Sequence, residues 1–208
     1  MILFFGPYCQ KMIRIVGRRL FNTSPKYNLP SMLKKELDYE VSNNTIHQVH
    51  PHTEDFLKSA GWKIAHETGK SEVVLTKAAS GFNLEMFVNC NENEDAESSE
   101  IEAVLDISKD GKKGIVSLDL ILDSDELTVN NLCWYPNKDF QKSEELRDDS
   151  YAGPIIESLD QQVENAIYDK LAELTVTAEL SDKIRDLKNW KEQKEYENWL
   201  GKVGPFFE

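Results

Sequence analysis

Three stretches in the middle of the chain alternate apolar and polar residues with a period of two, and this limits the fold more than any other feature. In "FNLEMFV", Phe82, Leu84, Met86 and Val88 alternate with Asn83 and Glu85. "IEAVLDIS" sets Ile101, Ala103, Leu105 and Ile107 against Glu102, Val104 and Asp106, and "IVSLDLIL" sets Val116, Leu118, Leu120 and Leu122 against Ser117 and Asp119. Successive side chains of a strand point to opposite faces, so each stretch reads as a strand with one face buried and one at least partly wet. Gly69, Gly81, "KDGKKG" at 109–114 and "DSDE" at 123–126 punctuate the pattern at hairpin distances. The expectation is one antiparallel meander of at least six strands, near 62–67, 71–78, 82–90, 100–109, 113–122 and 126–135.

On either side the period lengthens. "SMLKKELDYEVSN" places Leu33, Leu37 and Val41 at helical spacing behind Ser31 as N-cap. Toward the C-terminus, Gly153-Pro154 opens a helical pattern in which Ile156, Leu159, Val163, Ile167, Leu171 and Leu174 recur every three or four residues. A second helix is expected after "TVT", with Thr177 as N-cap and Glu179 in its first turn, carrying Leu180, Ile184, Leu187, Tyr196, Trp199, Leu200 and Val203. Gly201, Gly204 and Pro205 are expected to end it. Stripes this regular are assigned to packing, with part of them available to an oligomer interface. The class is therefore α+β, and 208 residues with 40% hydrophobic content suffice for one core in a domain of ~150–180 residues.

Charge divides the chain. The first 35 residues hold seven basic side chains and no acid, so in positions 36–208 the remaining 17 basic residues face all 37 acidic ones, a balance of −20. Such a body repels nucleic-acid phosphates, and direct nucleic-acid binding is not expected; its natural partners are basic. The acid-free head, with Arg14, Arg18 and Arg19 before "LFNTSP", has the composition of a mitochondrial presequence, and residues 1–28 are read as cleaved or disordered. No later stretch approaches the ~18–20 apolar residues of a membrane span. Cys9, Cys90 and Cys133 show no CxxC or metal spacing, and Cys133 falls in an apolar strand pattern where a buried thiol is the default.

The sharpest concentration of charge is "NCNENEDAESSEIEAVLD", Asn89 to Asp106, with seven carboxylates and no basic side chain. It joins the third and fourth strands and is longer and more charged than a hairpin requires. A calcium loop would carry a glycine at its turn, which this stretch lacks. Two roles remain open: a solvated loop that discourages aggregation, or a mobile electrostatic docking site made of Glu92, Glu94, Asp95, Glu97 and Glu100. His47, His50 and His52 cluster in "NTIHQVHPHTEDF", but Pro51 interrupts any helix that would align them and no well-spaced fourth ligand follows, so the stretch reads as a solvated linker and no metal or other cofactor is expected. GxSxG, GxxxxGK(S/T), strand-following GxGxxG and HExxH are absent, and carboxylates on a solvated face acquire no shifted pKa, which argues against catalysis. His66, in the first strand, reads as a surface or rim histidine.

Taken in order, the basic head, the short helix, "GW" opening the meander, the acidic insertion, "YAGPIIESLDQQVENAIYDKLAEL" and the ending "KEYENWLGKVGPFF" resemble the mitochondrial acidic matrix protein family, also called the mitochondrial glycoprotein family, over residues 31–208. The sharpest pieces are Tyr151, Gly153 and Pro154, Leu159 with Asp160, and Tyr196 with Trp199 and Leu200. The resemblance implies a single domain with a strongly twisted antiparallel sheet of about seven strands, flanked by one N-terminal and two C-terminal helices and assembled as a doughnut-shaped homotrimer. It also implies a non-enzymatic, chaperone-like acidic binding protein of the mitochondrial matrix. Such a protein would engage basic ribosomal or RNA-binding proteins and support mitochondrial translation and oxidative phosphorylation. The alternative is a structural or low-affinity cation-buffering role. One departure is the segment "LAELTVTAEL", which lacks the "RG" turn associated with many relatives.

Overall fold

The structure, a computed structural model, describes residues 27–43, 46, 48–90, 100–123, 126–143, 151 and 153–208. Six strands run in sequence order: β1 (Lys63–His66), β2 (Glu72–Ala79), β3 (Phe82–Asn89), β4 (Ile101–Ser108), β5 (Ile115–Leu122) and β6 (Leu127–Tyr135). All neighbours are antiparallel, and the strand limits fall within two residues of those read from the alternation. The described residues form six strands rather than the seven implied by the resemblance. Register follows the pleat: Leu75, Met86, Leu105, Leu118 and Leu132 stand opposite one another in turn across β2 to β6. Four of the five are fully buried. The β2–β3 hairpin closes through Ser80 and Gly81, both at positive φ (51° and 77°), a two-residue turn whose twist matches the strands. In β6 the register slips between Val129 and Asn131, leaving Asn130 as a bulge.

Helices cover the apolar face. α1 (Leu29–Asn43) and α2 (Pro51–Ser59) precede the sheet, α3 (Lys138–Lys142) follows it, and α4 (Gln161–Glu173) and α5 (Ala178–Phe206) complete the chain. Leu57 of α2, Leu171 of α4 and Leu180, Ile184 and Leu187 of α5 join the buried sheet residues in one core. The opposite face carries Asp106 and Ser117, both buried, beneath α3. Gln141 of α3 donates to the Asp106 carboxylate at 2.6 Å, and Ser117 Oγ donates to it at 2.8 Å. This pairing satisfies a carboxylate that would otherwise be costly to bury.

Several sequence expectations are corrected. The histidine-bearing stretch is not a plain linker, because residues 51–59 form α2. Pro51 opens that helix, where its missing N–H costs nothing. His50 is its N-cap residue and stacks on His52 with centroids 5.3 Å apart, while His47 lies outside the described residues. α1 begins at Leu29, so Ser31 lies within the helix instead of capping it. Pro154 does not open the next helix: a 3-10 turn at Ile156–Ser158 intervenes, and α4 starts at Gln161, capped by Asp160, whose carboxylate accepts from the Gln162 N–H at 2.8 Å.

Gly201, Gly204 and Pro205 do not end α5, which continues to Phe206. A Cβ on Gly204 would lie 3.6 Å from Leu33 Cβ and one on Gly201 3.9 Å from Leu37 Cδ2, so the glycines mark the seam along which α1 packs antiparallel on α5. Thr177 occupies the N-cap position of α5, but its side chain makes no capping hydrogen bond. Where the "RG" turn is missing, Thr175 takes the left-handed conformation (φ 58°) and Val176 N–H bonds to Leu171 C=O at 2.8 Å, closing a Schellman turn without glycine. Lys77 Nζ donates to the Thr175 hydroxyl.

Candidate protein-binding site

The C-terminal half of α5 extends past the core and meets both α1 and the end of the sheet where β3 leaves into the acidic stretch. Lys191 is its anchor. Only 1% of the side chain is exposed; its Nζ donates to Glu67 C=O at 2.7 Å and to Glu195 Oε1 at 2.6 Å. Glu195 Oε2 accepts from the Gly69 N–H at 2.7 Å and from Asn198 at 3.2 Å, so one helical i,i+4 pair fastens α5 to the β1–β2 turn. Burial alone would raise the Glu195 pKa, but these donors outweigh it and hold the carboxyl below its ordinary value.

Beside this clamp is an open cavity of about 290 Å³ lined by Ser71, Cys90, Lys191, Glu192, Glu195, Tyr196 and Trp199. Tyr196 and Trp199 stack with centroids 6.2 Å apart and an 11° interplanar angle, and Trp199 remains half exposed. Partial burial, then the nearby Glu36, Glu40 and Glu192 carboxylates, raise the Tyr196 phenol pKa. An aromatic pair ringed by carboxylates suits a cation: the π faces and the negative charges attract the same guest. Burial pushes the Cys90 thiol up to about 11, so the cavity holds no thiolate nucleophile at neutral pH.

The expected site residues divide between two places. Cys90 and exposed Glu100 mark the two roots of the acidic stretch; Tyr196 and Trp199 adjoin the first root, and Leu200, next to Trp199 on α5, is buried. Glu92, Glu94, Asp95 and Glu97 lie outside the described residues. Tyr151, Gly153 and Pro154 are elsewhere, against β6, where they line an apolar groove with Leu132, Trp134, Pro136 and Phe140. Gly153 sits at φ 84°, and a Cβ there would come within 1.9 Å of Leu132 C=O, so the backbone passes too close for any side chain. Leu159 packs against the core and Asp160 caps α4. The expected packing stripes are incomplete: Val163 and Trp199 are each about half exposed, as is Val41.

Sequence reasoning missed Lys191, Glu36 and Glu40, and took Glu195 only as part of the family motif with Tyr196, not as the partner of Lys191. Lys191 and Glu195 have i,i+4 spacing, but an Arg/Lys–Glu pair of that kind reads as solvated surface until burial is known. His66 is exposed in β1, its ring edge-on to Trp190 at 4.8 Å. Cys90 and Cys133 are both buried free thiols. Among the described residues no group of three or more His, Cys, Asp or Glu side chains is placed to hold a metal ion, and no helix is long and apolar enough to cross a membrane.

The class is α+β: a six-stranded antiparallel meander under long helices, with an aromatic-lined surface among carboxylates at one end of the sheet. The family model for the mitochondrial glycoproteins (MAM33) matches residues 33–103 and 91–207, and the chain belongs to that family, which makes it a mitochondrial acidic binding protein. Among solved structures it is similar to a Leishmania major protein described as a hypothetical protein of unknown function and a sequence homologue of human p32. The two share 24% identity with a TM-score of 0.72, over 86% of this chain and 98% of that one. It is also similar to the Trypanosoma brucei p22 protein, with 20% identity and a TM-score of 0.68 over 86% of this chain and 97% of that one. At these identities both likenesses establish the fold. No curated protein sequence matches.

Proposed function

We propose that the chain is a non-enzymatic, chaperone-like acidic protein of the mitochondrial matrix that engages basic proteins, ribosomal or RNA-binding, and thereby supports mitochondrial translation and oxidative phosphorylation. The observation that carries this reading is the Tyr196–Trp199 pair among Glu36, Glu40, Glu192 and Glu195 at the root of the acidic stretch, in a chain of net charge −13. A basic segment would be steered by Glu92, Glu94, Asp95, Glu97 and Glu100 and held by a cationic side chain over the aromatic pair. In this reading residues 1–28 are a cleaved presequence and residues 31–208 one domain that works as a homotrimer. Exposed Phe206 and Phe207 supply apolar surface for the interface.

The test compares three proteins: the wild type, a variant with the five acids of the stretch changed to Gln or Asn, and Trp199→Ala. Each is titrated with a basic ribosomal protein between low and physiological salt. The reading predicts that the five-acid variant loses affinity and part of its salt dependence, and that Trp199→Ala loses affinity while keeping the salt slope. Undiminished binding by both variants would sink the proposal and favour a role as a diffuse cation buffer. Light scattering of the chain truncated after Lys194 tests the trimer, which should be lost.

A further inference from the structure

The sheet is less tightly covered beneath α4 than beneath α5. Phe82, Ile107, Val116 and Leu132 from four strands, with Ile167 and Leu171 of α4, line an open groove of about 310 Å³ that is apolar except for Lys170. Its mouth is basic. Phe82 has Lys109 Nζ 4.9 Å and Lys170 Nζ 5.0 Å from its ring centroid. Lys170 also pairs with Glu173 at 2.7 Å, whereas Lys109 makes no ion pair among the described residues. The same β4–β5 turn adds Lys112 and Lys113, both exposed, against one carboxylate, Asp110, which accepts from Asn83 at 2.9 Å, so the turn stays net basic. In a chain with 37 acidic and 24 basic residues, an apolar recess opening beneath this group of lysines has a polarity opposite to the rest of the protein.

We propose that this groove binds an anionic amphiphile, a carboxylate with an unbranched alkyl tail of medium length. The tail lies between α4 and the sheet, and the head group sits between Lys109 and Lys170. A methylene displaces roughly the volume of a water molecule, ~30 Å³, so the groove holds about ten carbons. The tail removes apolar wall from water, and the carboxylate gives Lys109 the counter-charge it lacks. A cationic amphiphile would meet like charge, and a neutral one would forgo the head-group contact. This inference is independent of the acidic binding face, which lies beside the opposite end of β3.

The test titrates the full chain with decanoate below its micellar range, following the methyl resonances of Ile107, Leu132 and Ile167. Decanol and decyltrimethylammonium serve as matched probes. Decanoate should shift those methyls and bind about tenfold tighter than decanol, and the double change Lys109→Glu with Lys170→Glu should remove that advantage. Ala166→Trp, which places an indole in the groove from the exposed side of α4, should block decanoate without moving the far-face methyl of Ile121. Should Ala166→Trp fail to fold, Val163→Trp takes its place. Equal affinity for decanoate and decanol, shifts confined to other residues, or an Ala166→Trp protein whose main change is a smaller assembly would each overturn the proposal; the last would make the groove an interface between copies.

Discussion

The Lys191–Glu195 clamp makes an asymmetric prediction. Removing one member of a buried ion pair costs about 3–5 kcal/mol because the survivor is left uncompensated. Here the survivors differ: Lys191 is 1% exposed and Glu195 23% exposed. Glu195→Gln leaves an ammonium inside the protein with only neutral acceptors, the Glu67 carbonyl and the new amide oxygen, and no counter-charge, and is expected to cost about 4–5 kcal/mol. Lys191→Met keeps the packed stem and leaves a carboxylate that still accepts from Gly69 N–H and Asn198 and touches solvent, so about 2–3 kcal/mol is expected. Urea unfolding at pH 7 and one fixed protein concentration measures both. The pH dependence adds a second reading. The Glu195 pKa is depressed in the folded state, so its contribution is complete above the unfolded carboxyl value of about 4.3 and is lost as pH falls through the lower folded value. The Lys191→Met deficit should therefore be flat from about pH 5 to 8 and shrink in acid. A Lys191→Met protein destabilised as much as Glu195→Gln, or a deficit that grows below pH 4, would falsify the assignment of the clamp.

Three further outcomes follow from local geometry. Gly153→Ala should cost at least about 2 kcal/mol and lower Tm, because a left-handed alanine is strained and its Cβ would overlap Leu132 C=O. Thr175→Gly should do the reverse, raising stability by about 0.5–1 kcal/mol in the same melting assay, since relief of a β-branched residue at φ 58° outweighs the exposed hydrogen bond from Lys77 that the change removes. Mass-mapped iodoacetamide labelling at pH 7.5 should leave Cys90 unmodified until urea unfolds the chain, because a thiol pushed up to about 11 is ionised on the order of once in a few thousand molecules; prompt native-state labelling would contradict its burial.

The strands were legible because burying one face writes a period of two directly into the residues: Leu84, Met86 and Val88 were assigned to the inner face by alternation and are buried there. The helical stripes were legible as helices but not as to what covers them. Val163 and Val41 keep the spacing of core residues yet stay half exposed, since periodicity records a side of a helix and not the neighbour waiting there. Pro51 was misread because proline breaks a helix interior but favours a first turn, and only the position of the turn distinguishes the two. The candidate binding face was hardly legible. Tyr196 and Trp199 read as packing residues of a structural motif, and Glu36 and Glu40, some 160 residues earlier, join them only because α1 folds back along α5.

That antiparallel helix pair brings Leu33 beside Gly204, so the beginning and end of the described fold share one location. A short linker could join them without crossing the sheet, and the chain could be reopened at the exposed β4–β5 turn, Lys109 to Lys113, as a circular permutant. Anything fused to either end of the fold, a reporter or a tether, would emerge at the same corner, beside Phe206 and Phe207, so two labels placed there would report on that one corner together.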